Sequence, residues 1–155
     1  MPGHWEGDLL TGKDCRSAVG TLVERTTRYV LLHLPHGRDA HQVERAMRQA
    51  ITALPAGLAR TITRDQGIEM ACHADFTIAT GIPVYFCDPH APWQRGSNEN
   101  TNGLLRQYLP KGTDLSRHTA ADLARIAASL NGRPRKTLQY MTPSEKLAEL
   151  LAHTG

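Results

Sequence analysis

The sequence predicts an α/β fold: a mixed five-stranded sheet, three antiparallel strands and then two more, flanked by helices. Residues 4–34 carry three short runs rich in Val, Leu and Tyr, broken by turn residues, which is the pattern of a strand meander. From residue 40 onward, apolar residues at helical spacing alternate with short apolar runs, so helices interleave with the remaining strands. At 155 residues the chain fits one domain, able to bury a core without disulfides or metal staples.

The first strand is predicted over 4–11, and two more over 17–26 and 28–34. Thr26-Thr27 makes the tight connection between them, and Pro35-His36-Gly37 ends the meander. A helix follows over 40–54, with Asp39 as its N-cap and Val43, Met47, Ala50, Ile51 and Leu54 on one face. Pro55-Ala56-Gly57 stops it. Residues 60–65 read as a buried strand, 69–80 as a helix, and 84–87 as the fifth strand after Gly81-Ile82-Pro83. Helices are predicted over 97–108, 119–130 and 143–152, and the C-terminal ones from about residue 119 belong to the same domain. Thr142-Pro143-Ser144-Glu145 is a full start signal for the last: N-cap, first-turn proline and capping-box acid.

Composition narrows the function classes. No apolar run approaches the roughly 18 residues needed to cross a membrane, and Met1 to Glu6 lack a secretory pattern. A soluble, cytoplasmic protein is the expectation, with no membrane partner. Cys15, Cys72 and Cys87 are odd in number and scattered, which argues against a disulfide framework and for a reducing compartment. Residues 1–92 hold nine Lys and Arg against ten Asp and Glu, whereas 93–155 hold nine against five. The basic half, with Arg95, Arg106, Lys111, Arg117, Arg133, Arg135 and Lys136, suits a polyanion.

Three acids stand in positions that invite a role. Asp8 interrupts a strand, where aspartate is disfavoured, although a strand acid paired with a nearby arginine would explain it as well. Glu6 shares its face under the two-residue period and is the substitute ligand, or else an ion-pair partner. Asp65 ends a buried strand beside Gly67, where α/β folds put functional groups and where plain turn aspartates also occur. Glu99 opens a helix capped by Gly96-Ser97, and first-turn acids are favoured by the helix dipole alone. That helix carries Glu99, Asn102, Gly103 and Arg106 on one side and Leu104, Leu105 and Tyr108 on the other. The polar line suits a phosphate backbone, with Arg106 as a two-pronged donor. His90, Trp93 and Arg95 lie in the preceding loop, Trp93 either anchoring it or stacking on a base.

Several stretches resemble one family: Gly3-His4-Trp5-Glu6-Gly7-Asp8-Leu9, Gly20 to Arg25, Asp65-Gln66-Gly67-x-Glu69-Met70, and above all Tyr85 through Asn100 with its Asp88-Pro89-His90-x-Pro92-Trp93-Gln94-Arg95-Gly96-x-Asn98-Glu99. Together with Asn131-x-Arg133-Pro134-Arg135-Lys136-Thr137-Leu138, they look like the catalytic domain of bacterial insertion-sequence transposases of the insertion-sequence-thirty family. The resemblance covers nearly the whole chain and implies an RNase H-like fold shared with retroviral integrases.

It implies further that Asp8, Asp65 and Glu99 are the catalytic triad and hold two Mg²⁺ or Mn²⁺ ions. Cleavage at element ends and joining to target DNA would follow by two-metal phosphoryl transfer, without a covalent enzyme intermediate. Arg106, seven residues after Glu99, matches the basic residue usual there. Arg95, Asn102, Arg106, Lys111, Trp93 and His90 are the expected DNA contacts, and the partners are the element's terminal inverted repeats, target DNA and at least one further copy of the chain. Two departures stand out. Arg64 replaces the tryptophan common before the second acid, and is expected to adjust metal charge or DNA contact. The chain also begins almost at the first catalytic motif, without the helix-turn-helix region that family members carry. The alternatives are an RNase H-like nuclease that does not join ends, and a non-catalytic DNA-binding remnant.

Overall fold

β1 (His4–Thr11) is the middle strand of the sheet, with its neighbours drawn from the segments before and after the first helix. β2 (Ala18–Glu24) pairs with it antiparallel, and β3 (Val30–His33) pairs antiparallel with β2. On its other side β4 (Thr61–Arg64) lies parallel to β1, and β5 (Val84–Phe86) parallel to β4. The order is β3-β2-β1-β4-β5, a mixed sheet of five strands, as the sequence predicts. The computed structural model describes residues 3–13, 17–34, 40–54, 57–64, 77, 80–86 and 96–154.

The helices are α1 (Ala40–Thr52), α2 (Gly96–Leu105), α3 (Ala120–Asn131) and α4 (Pro143–Thr154). α3 starts on a capping box: Thr119 accepts from the Asp122 amide, and Asp122 accepts from Thr119. α4 starts the same way, with Glu145 N–H donating to Thr142 Oγ1 at 3.1 Å and Thr142 N–H to Glu145 Oε1 at 2.9 Å, as its sequence predicts. α2 begins at Gly96, one residue before the predicted start, so Ser97 is inside the helix rather than its cap. Asp39, Cys87 and nearly all of the 69–80 helix lie outside the described residues.

Two apolar clusters cover the sheet. One joins Trp5, Leu22 and Ile62 to Met47 and Ile51 of α1. The other joins Leu10 and Val19 to Leu105 of α2 and to Leu123, Ile126 and Leu130 of α3. Trp5 and Leu10 are five positions apart on one strand, so their side chains leave opposite faces. The sheet is therefore sandwiched, α1 on one side and α2 with α3 on the other. By the same alternation, Glu6 and Asp8 face α2 and α3, while Gly7 faces α1.

The β2–β3 turn is organised by Glu24, which is fully buried. Its carboxylate accepts from the Thr26 and Thr27 amides at 2.9 and 2.6 Å, from the Thr27 hydroxyl at 2.7 Å, and from the Gly3 amide at 3.1 Å. Four donors offset the desolvation of the charge and tie the chain's first strand to the turn.

Across β2 and β3, His33 lies opposite Gly20, and its ring fills the space a side chain there would need. Gly20→Ala is expected to cost about 1–3 kcal/mol by overpacking. Most of that cost should vanish in a His33→Ala background. Urea denaturation of the two single variants and the double variant measures it, and additive losses would contradict the contact.

The His33 imidazole is buried, with neither ring nitrogen bonded among the described residues. Burial first, and then the charge of Arg64, push its pKa from 6.5 down to about 3. The unfolded chain thus binds more protons between those values. Stability from this residue is complete above pH 6.5 and is lost as pH falls toward 3, with a slope of up to about 1.4 kcal/mol per pH unit. Denaturation midpoints between pH 7 and 4 should show this slope, and His33→Gln should flatten it.

Candidate active site

Asp8 stands in the central strand, opposite Thr21 of β2 and on the face covered by α2. One carboxylate oxygen accepts from the Leu9 amide at 2.8 Å, and the other accepts from Asn102 Nδ2 at 2.8 Å. The second bond joins residues 94 apart and fixes how α2 crosses the sheet. α2 can lie there because Thr101 and Leu105 are buried four residues apart, with Leu104 and Tyr108 packed against the same cluster. The helix ends at Leu105, whose carbonyl accepts from the Tyr108 and Leu109 amides in the turn that leads to Pro110.

Asn102 was expected to meet a phosphate. Instead its amide is half-buried and donates to Asp8. Its Oδ1 is buried with no partner among the described residues, which leaves an oxygen acceptor beside the carboxylate. Glu99 lies in the same helix three residues earlier, and positions three apart are neighbours on a helix face. Its side chain is outside the described residues, as are Asp65, His90, Trp93 and Arg95.

Arg64, the last residue of β4, is paired with Gly7, the residue before Asp8. Its side chain does not reach the carboxylate face. It is buried on the α1 side, packs over Gly7 and donates from Nη1 to Met47 Sδ at 2.9 Å. The contacts described for it lie on the face away from Asp8. The strand alternation that sends Asp8 one way sends Arg64 the other. Glu6 is buried and forms an ion pair with Arg25 at 3.4 Å, which makes it a partner in the sheet. Arg106 is half-buried and donates to Leu109 O at 3.2 Å, and Lys111 is exposed in the turn after α2.

Among the described residues no three His, Cys, Asp or Glu side chains gather at one point. What the site does present is hard oxygen: the Asp8 carboxylate and the orphaned Asn102 Oδ1. That donor set fits Mg²⁺ or Mn²⁺ and not a soft metal. The Asp8–Asn102 bond was missing from the sequence reading, although the spacing of Asn102 from Glu99 on one helix face was its signal. Among the described residues no helix is long and apolar enough to cross a membrane.

Residues 1–92 match the family model described as Integrase core domain. The chain is 57% identical over 153 residues to the transposase for insertion sequence element IS1086 of Cupriavidus metallidurans, covering 99% of this chain and 45% of that protein. It is 49% identical to transposase InsI for insertion sequence element IS30A of Escherichia coli, covering 98% of this chain and 39% of that one. The chain thus spans less than half the length of these curated relatives. In fold it resembles the catalytic core domain of bovine immunodeficiency virus (BIV) integrase, with a TM-score of 0.70 at 19% identity over 99% of both chains. It also resembles a chain of the simian T-cell lymphotropic virus intasome, with a TM-score of 0.65 at 20% identity over 84% of this chain and 49% of that one. The five-stranded sheet with its flanking helices is thus the RNase H-like fold of the retroviral integrase core.

The Asp8–Asn102 bond is expected to contribute about 1.5–3 kcal/mol, the range for a hydrogen bond to a charged group. A double-mutant cycle with Asp8→Ala and Asn102→Ala, read by urea denaturation, should give a coupling of at least about 1 kcal/mol. Independent effects would mean the two side chains do not meet.

Proposed function

This chain belongs to the integrase core domain family, and from that premise we propose that it is the catalytic core of a DNA transposase. It cuts phosphodiesters at element ends and joins the freed 3′ ends to target DNA. Asp8, Asp65 and Glu99 hold two Mg²⁺ or Mn²⁺ ions, and the DNA-bound assembly contains at least two copies of the chain. The observation that carries the proposal is the fastening of α2 to Asp8 through Asn102, one helical turn from Glu99. The pairing of Gly7 with Arg64 supports it further, because Asp8 and Asp65 are the residues that follow that pair in the chain.

The residues act by position and charge. Asp8 presents carboxylate oxygen on a strand buried between two helical layers, so its place is set before substrate arrives. Asn102 orients that carboxylate by donating to Oδ2 and leaves its own oxygen free to accept. Asp65 and Glu99 complete the oxygen set. When bound, divalent ions at such a site polarise the phosphodiester and generate a reactive oxygen nucleophile near neutral pH. Lys111, exposed after α2, meets the phosphate backbone, as do Arg95 and Arg106 around the helix. His90 and Trp93, which precede α2 in the sequence, contact DNA as well. Such contacts hold the duplex in register with little sequence information.

Asp8→Asn, Asp65→Asn and Glu99→Gln should each lower Mn²⁺-dependent cleavage of a labelled duplex carrying the element end by at least about a thousandfold, or ~4 kcal/mol of transition-state stabilisation. Binding of the same duplex should persist. Retained cleavage in Asp65→Asn would end the triad assignment. Cut ends without joined products would point to a nuclease instead.

A further inference from the structure

We propose that Arg28, Arg133 and Arg135 form a second phosphate-binding site, which grips the DNA backbone away from the carboxylate centre. It rests on the reading that this chain acts on DNA, and adds a contact that the carboxylate site does not include.

Two distant segments build it. Asn131, the buried last residue of α3, accepts from Val30 N–H at 2.8 Å and donates to Val30 O at 3.0 Å. That clamp pins the turn holding Arg28 against the segment holding Arg133 and Arg135. Arg133 is anchored in turn by a bond to the Tyr108 hydroxyl, its guanidinium 5.5 Å from the centre of that ring.

Among the described residues no anion meets the cluster, and Arg28 Nη1 and Arg135 Nε and Nη2 are buried without an acceptor. The described ion pairs are Arg25–Glu6, Arg125–Asp122 and Lys146–Glu149, none of which involves these three arginines. Glu24, four residues before Arg28, spends its carboxylate on Gly3, Thr26 and Thr27. Burial, and then the charges of Arg133 and Arg28, hold Arg135 below the ordinary guanidinium range. Desolvated donors facing like charges are costly unless something negative arrives.

The backbone points to the same place. Arg28, Gln139 and Tyr140 are the non-glycine residues with positive φ among those described, at 64°, 54° and 67°. Tyr140 N–H donates to Arg135 O at 2.8 Å, and Arg135 N–H to Met141 O at 2.9 Å, so the strained loop is bonded to the Arg135 backbone. Such strain concentrates at binding sites. Tyr140 there is 70% exposed, and Lys136 is exposed as well. Guanidinium forks for phosphate next to an open aromatic surface for a base or sugar suit a nucleic-acid strand.

The turn starts beyond Glu24, which pairs with Trp5, three residues before Asp8 on β1. At about 3.4 Å per residue that is roughly 10 Å along the strand. The turn thus lies toward the Trp5 end of β1, away from Asp8.

The test is fluorescence anisotropy of the 155-residue chain with a labelled duplex, without divalent ions, across a salt series. Arg28→Gln and Arg135→Gln should each weaken binding several-fold and lower the slope of log affinity on log salt by about one; the double variant should lose about two. Arg135→Lys should recover part of the loss. Arg135→Gln should melt no lower than the parent chain, since no described partner is removed; a marked fall in melting temperature, with binding intact in Arg28→Gln, would make the cluster structural and overturn the proposal. Unchanged affinity and slope in the double variant, with the parent chain binding DNA, would overturn it and leave the transposase reading standing. Failure of the parent chain to bind any duplex would overturn both. Saturable, Arg135-dependent binding of a mononucleotide at micromolar concentration would assign the site to a free phosphate and overturn it as a DNA contact.

Discussion

A carboxylate on a central strand must be answered by something, and in this protein α2 answers it. Asp8 sits between β2 and β4 in the middle of the sheet, where solvent reaches it only in part. Asn102 supplies a donor across 94 residues of sequence. Because Leu105 is buried next to Leu10 on the same sheet face, apolar packing and the polar bond agree on one placement of the helix. The rest of the candidate site hangs on that agreement. Glu99 is carried by α2, Lys111 follows it, and the β1–β4 pairing brings the chain to Asp65 just past the strand end.

The opposite face carries a different compromise. Arg64, where relatives in the resembled family commonly have tryptophan, is buried under α1 with its guanidinium on the Met47 sulfur. A long aliphatic stem can fill much of an aromatic's volume, but the charge must be tolerated. His33 lies close enough to feel that charge and stays neutral, packed on Gly20. Gly7 and Gly20 are thus needed less for flexible backbone than for the room they leave to an arginine and a histidine. The buried His33 makes that face dependent on pH.

The C-terminal segment closes the sheet edge as well as continuing the chain. Asn131 completes both hydrogen bonds of Val30 at the start of β3, so the outer strand is covered from α3. Edge strands left open invite unwanted pairing. The same clamp aligns the basic residues after α3 with the β2–β3 turn. Charge counts alone pointed to a polyanion; only the fold brings two of those charges, Arg133 and Arg135, to Arg28 of the β2–β3 turn.

Periodicity and turn chemistry alone determined the five strands, the described helices to within a few residues, the Thr142–Glu145 capping box, and which positions are apolar inside. Those signals are local, carried by residues within one or two turns of each other. The motif around Glu99 pointed to the family because it is long. What only the tertiary structure decided is who meets whom: β4 beside β1, Asn102 on Asp8, Glu6 on Arg25, Arg64 turned away from the carboxylates, and Asn131 on Val30. None of these is encoded in a short window. A parallel pair or a bond between residues tens of positions apart follows from how two faces pack, and an arginine beside a candidate acid reads alike in sequence whichever face its side chain takes. One residue of strand alternation separates those two outcomes, and the packing of the sheet fixes it.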